Sequence, residues 1–150
     1  MYEESGLIQL RKTPPLIVPN RTLYVFTHPF WGDDKHPYID NIERLIRETE
    51  SPILTLDYWI RDTTSRYIKL NPRGDRFFLP NGSSYAKPDC GWEITAEIIN
   101  RFEPEEVLLG GSQLGGNKTD DYWHCVGLTY KNLRHLVPHL RIEEPIVDRV

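Results

Sequence analysis

Cysteine is scarce in this chain: two in 150 residues, Cys90 and Cys125, with no CxxC pair. A zinc site of the usual kind needs closely spaced ligand pairs, so none is expected. Two isolated cysteines fit reduced thiols better than a disulfide framework, which points to a cytoplasmic protein. Long apolar runs are missing too, and nothing approaches the roughly 20 residues of a membrane span. The opening MYEESGLIQL is acidic and lacks the apolar core of a secretory signal, so no membrane partner is expected. Positive charge is also short. Lysine and arginine total 18 against 22 aspartates and glutamates, a net charge of −4. A general nucleic-acid binder is normally basic, so nucleic acid is not the expected partner.

What is present is the material for one core. The chain is 39% hydrophobic and 11% aromatic, enough for a single domain of this length. There is no internal repeat, and no linker long enough to separate a second domain from the first. Residues 1–20 carry Leu7-Ile8-Leu10 and Leu16-Ile17-Val18, split by Pro14-Pro15. They are expected to form an extended arm lying on the core.

Hydrophobic period then alternates along the chain. TLYVFT (22–27) is nearly continuous in hydrophobicity, as a strand covered on both faces should be. PYIDNIERLIRET (37–49) has Ile39, Ile42, Leu45 and Ile46 at helical spacing. Pro37 suits its first turn, where a missing N–H has no partner to lose. PILTLDYW gives a second strand ending at Asp57. RYIKLNPRGDRFFLP, with its Pro-Arg-Gly-Asp turn signal, reads as a β-hairpin over 66–79. CGWEITAEIINRF is a second helix, with Asp89 as its cap. EEVLLGG is a third strand and SQLGGNKT a loop. DDYWHCVGLTYKNLRHL is a third helix, with Thr119 as N-cap and Asp120 and Asp121 in the first turn. LRIEEPIVDRV is a last strand. Strands alternating with helices predict an α/β fold, a three-layer sandwich on a mostly parallel sheet of about four strands, with the hairpin inserted.

In such sheets ligands bind beyond the carboxyl ends of the strands. Three loops would meet there: HPFWGDDKH after strand one, the segment from Asp57 after strand two, and GGSQLGGNKTDD after strand three. The candidate catalytic residues are His28 and Asp34 as acid or base, and Cys125 as a nucleophile whose thiol the helix dipole would activate. Trp31, Asp57, Gly111, Ser112, Gly115 and Gly116 are the candidate ligand contacts. Asp33, Asp34 and Asp57 would hold a divalent metal such as magnesium, if a cofactor is used at all. Each has a plainer reading: Trp31 packing on a helix, Asp34 capping it, Asp57 pairing with Arg61, Cys125 filling the core. The four glycines before Lys118-Thr119 miss the phosphate-binding G-x-x-x-x-G-K-[ST] pattern by a one-residue slip, and Asp120-Asp121 would repel a phosphate.

Three functions compete. The first is a small-ligand protein, with hydrolase or transferase chemistry on a polar or nucleotide-like molecule. The second is a non-catalytic protein that forms a homo-oligomer or docks a partner through the hairpin and arm. The third is nucleic-acid handling through Arg66, Lys69, Arg73 and Arg76 of the hairpin, joined to acid-held metal chemistry. The first is preferred.

Overall fold

The computed structural model describes residues 22–30, 37–57, 65–67, 69–71, 77–78 and 91–150. The expected arm over 1–20, Trp31, Asp33, Asp34, Arg61, Arg73, Arg76, Asp89 and Cys90 lie outside these residues.

Five strands form one sheet: β1 (Thr22–Thr27), β2 (Ile53–Leu56), β3 (Phe77–Phe78), β4 (Glu106–Leu114) and β5 (Leu140–Arg149). Their spatial order is β3-β2-β1-β4-β5, and every pairing is parallel. The helices are α1 (Pro37–Glu48), α2 (Trp92–Arg101) and α3 (His124–Leu133). The chain builds outward from β1 through β2 to β3, then returns to the other side of β1 for β4 and β5. This is a doubly wound order, and its reversal falls between β1 and β4.

Strand alternation divides the core in two. On one face Leu23 and Val25 of β1, Leu54 and Leu56 of β2, and Val107 and Leu109 of β4 pack under Ile98 and Ile99 of α2 and Val126 and Leu133 of α3. On the other, Phe26, Ile53 and Ile146 pack under Tyr38, Ile39, Ile42 and Ile46 of α1. The helix layers on both sides explain why β1, β2 and β4 read as unbroken apolar runs.

Four expectations are revised. The hairpin is not confirmed among the described residues: 65–67 and 69–70 are helical, and β3 pairs parallel with β2. Tyr67 and Leu70, three apart, both turn into the α1 core, and Asn71 N–H donates to the Tyr67 carbonyl at 2.8 Å. Helical period, not alternation, satisfies that core. Asn71 also donates to the Ile46 carbonyl at 3.1 Å, closing the end of α1.

The loop expected from Ser112 is strand as far as Leu114, because β5 continues alongside it and pairs Ser112 with Asp148. The third helix starts at His124 rather than Asp120. Thr119–Asp121 is a 3-10 turn, and Trp123 is extended because it bridges antiparallel to Gly115 through two 3.1 Å hydrogen bonds. At α2 the N-cap position is Gly91, at φ 86, not Asp89.

Strand β5 carries one further irregularity. Leu109 pairs with Ile142 but Gly111 pairs with Val147, so four residues of β5 bulge against Gly110 alone. Asn41 of α1 holds the bulge by donating to the Pro145 carbonyl at 2.7 Å. Ile146 drops into the space above Gly110, where any Cβ would come within 2.7 Å of its side chain.

Candidate functional site

The reversal of strand order sets which side chains share the carboxyl edge. Thr27, the last residue of β1, pairs with Leu56 on one side and Gly111 on the other. One residue further along stand Asp57 and His28, just past the ends of β2 and β1, and Ser112 within β4. Ser112 in turn pairs with Asp148 of β5. Adjacent strands lie roughly 4.8 Å apart, so Asp57, His28, Ser112 and Asp148 form one row across four strands. All four are buried, with relative exposures of 5%, 3%, 0% and 6%. Placing four polar groups in one buried row costs desolvation unless they have partners or a task.

Each half of the row has its own supports. On the β2 side, Tyr67 is fully buried. Burial pushes its phenol well above the ordinary range; the Thr55 hydroxyl acts the other way, and the Asp57 charge adds to the rise. The Tyr67 ring meets Phe30 edge-on at 5.6 Å, and the Arg66 guanidinium lies 3.9 Å over the Phe30 ring. Arg66 also pairs with Glu43 of α1 at 3.1 Å. The loop after β1 is tied down by the Tyr38 hydroxyl, which donates to the Pro29 carbonyl at 2.7 Å. On the β5 side, the Ser112 hydroxyl donates to Asp148 at 3.4 Å.

His28 stands between these halves. Its backbone N–H donates to the Leu56 carbonyl at 2.7 Å, continuing the β1–β2 ladder one step. Its φ of 24° then turns the chain out of the strand. Burial lowers the imidazole pKa from 6.5 to about 4. At neutral pH it is therefore uncharged, with one ring N–H to donate and one ring nitrogen to accept. A base for neutral pH would need a higher proton affinity, so hydrogen bonding is the role this environment suits.

The glycines do packing work. Gly111 has φ 122°, and a Cβ there would run into the Thr27 backbone, so glycine lets β1 and β4 close up at the reversal point. Gly115 lies against the Trp123 indole, which leaves no room for a side chain. The Gly116 carbonyl accepts from Arg149, whose guanidinium also pairs with Glu144 at 3.0 Å. None of these contacts involves an anion cradle.

Cys125 is half-buried in the first turn of α3. That helix covers the sheet face opposite α1, and is anchored there by Thr27. The Thr27 hydroxyl donates to Thr129 at 3.2 Å, and Thr129 donates to the Cys125 carbonyl at 2.8 Å. No described contact joins Cys125 to the row. Of the three candidate metal ligands, Asp33 and Asp34 lie outside the described residues. Among the described residues no group of three His, Cys, Asp or Glu side chains is arranged to hold an ion. No described helix is long and apolar enough to cross a membrane.

Asp148, Thr55 and Tyr67 were missed in the sequence. Asp148 had a signal: it follows Ile146 by two residues in a strand, so it shares the α1 face. Tyr67 had the three-residue spacing to Leu70. A groove of about 450 Å³ also opens between α1 and β5, over Tyr24 and Ile146. Its rim includes Arg44, Glu48 and Glu143, and Tyr24 places it near the amino ends of the strands. It is separate from the row.

Comparison with protein-family models, with curated proteins and with solved structures finds no match for this chain.

Proposed function

We propose that this protein binds a polar, nucleoside-like small molecule at the carboxyl edge of its sheet, over the row Asp57, His28, Ser112 and Asp148. One observation carries the reading: four buried polar side chains line up at the point where strand order reverses. Ligands of doubly wound sheets bind at that point, because the two flanking connections leave in opposite directions and open a crevice. A buried titratable group with a shifted pKa, as His28 is, marks a functional-site candidate in such a place.

The test is a thermal-shift panel of nucleosides, nucleotides and small acids, with and without magnesium, on the wild type, Asp57→Asn and His28→Asn. A bound ligand raises the melting temperature by mass action. The expected result is a shift in the wild type that both variants lose, with circular dichroism unchanged. A ligand whose shift survives both substitutions would place its site elsewhere and end the reading.

A further inference from the structure

The groove between α1 and β5 is a second place where the fold leaves chemistry open, independent of the row. Its origin is the bulge. Four residues of β5 stand against Gly110 alone, so residues 143–146 have no partner of their own in the ladder and form a wall. The other wall is α1, with Asn41, Arg44, Leu45 and Glu48 as one stripe at helical spacing. The 2.7 Å bond from Asn41 to the Pro145 carbonyl ties the two walls together at one end. Tyr24 of β1 and Ile146 floor the space, and its volume of about 450 Å³ lies in the range of small-ligand sites.

Two charges on the α1 wall are open. Arg44 and Glu48 stand one turn apart and both are exposed, yet neither makes an ion pair or hydrogen bond among the described residues. The neighbouring pair on the same helix, Arg47 with Glu43, closes at 3.5 Å, as Arg101 with Glu97 does on α2 at 3.0 Å. Chain order explains the difference. In both closed pairs the glutamate precedes the arginine, which the helix dipole favours; in Arg44 and Glu48 it follows. On the facing wall Glu143 is already paired with Arg141 at 3.3 Å. A ligand of one charge would be drawn to one open group and repelled by the other a turn away. A ligand carrying both charges close together satisfies both. The floor adds a third requirement, since Tyr24, Leu45, Pro145 and Ile146 offer surface that an apolar group would cover favourably.

We propose that the groove between α1 and β5 is a binding site for a free α-amino acid with an aliphatic side chain. Arg44 takes the carboxylate, with the two-pronged geometry a guanidinium provides. Glu48 takes the ammonium group, and the aliphatic chain lies over Tyr24 and Ile146.

Isothermal titration of the full chain tests this with leucine, 4-methylpentanoate (which lacks the ammonium), isopentylamine (which lacks the carboxylate) and glycine. Leucine should bind, and each of the other three about tenfold more weakly or worse. Arg44→Gln should weaken leucine about tenfold without weakening isopentylamine, and Glu48→Gln should weaken leucine similarly without weakening 4-methylpentanoate. Both are changes of exposed side chains, and an unaltered melting temperature shows that the fold is intact. No heat from leucine overturns the proposal. Equal binding of leucine and either singly charged analogue does so too, as does leucine binding that both variants keep. A wild-type dimer in sedimentation that Arg44→Glu dissociates would give the groove to a second copy of the chain and overturn it as well.

Discussion

Moving from pH 7 to pH 5 should cost this protein about 2 kcal/mol of stability through His28 alone, for a folded pKa of about 4 against 6.5 unfolded. The unfolded imidazole takes up a proton as pH falls through 6.5, whereas the folded one, buried at 3% exposure, does not until pH nears 4. Across that window the unfolded chain binds more protons, so stability falls as pH falls. At pH 7 both states are mostly neutral and the effect is a few tenths of a kcal/mol; below pH 4 it levels off near 3 kcal/mol, as an order of magnitude. Carboxylates begin to titrate in the same range, so the wild type alone cannot isolate the imidazole. His28→Asn can. Asparagine has no titrating group and tolerates the positive φ of 24° at this position better than most residues. Urea unfolding of both proteins at pH 7 and pH 5 gives four free energies. The wild type should lose about 2 kcal/mol more than the variant between the two pH values. Equal losses would show that the imidazole accepts its proton without penalty, and that His28 is not held neutral by burial.

Two further outcomes follow from the geometry. Gly111→Ala puts a methyl group against the Thr27 backbone at φ 122°, and should cost about 3 kcal/mol or more in chemical denaturation. A loss under about 1 kcal/mol would mean that β1 and β4 are not so closely apposed at the strand-order reversal. Asn71→Ala removes the buried bond to the Ile46 carbonyl, and should cost about 1–2 kcal/mol with the unfolding slope unchanged. A neutral substitution would refute its role in closing α1.

How far the sequence could be read depended on how local each cause was. The α1 stripe of Ile39, Ile42 and Ile46 sits behind Pro37, and all three isoleucines are buried as the spacing requires. The β1 and β2 runs were equally plain, because strands buried on both sides need apolar residues at every position. The segment around Tyr67 misled for a physical reason. TSRYIKL contains β-formers and no breaker, so its period is ambiguous over so few residues. Packing of Tyr67 and Leu70 against α1 decided for helix. Trp123 misled similarly: Asp120 and Asp121 look like a helix start, but pairing with Gly115 keeps the chain extended until His124.

The candidate site divides along the same line. Asp57 and His28 were legible as strand ends, because a strand's end is marked by its own composition. The partnership of Ser112 with Asp148 was not, since it depends on the register of two strands whose paired residues are 36 apart in sequence. The glycines of GGSQLGG read as candidate ligand contacts that miss the phosphate-loop pattern by one residue. Their actual constraint, the nearness of Thr27, Ile146 and Trp123, comes from distant segments.

The sequence by itself determined the elements whose causes lie within about a dozen residues: the buried strands, the amphipathic α1, and the alternation that makes the sheet parallel. Tertiary structure alone decided the strand order, the helical turn at Tyr67, the bulge of β5 over Gly110, and the row from Asp57 to Asp148. The physical reason is that side-chain period is a local property of the chain. Register between strands is fixed by the total packing of both sheet faces, which no short segment contains.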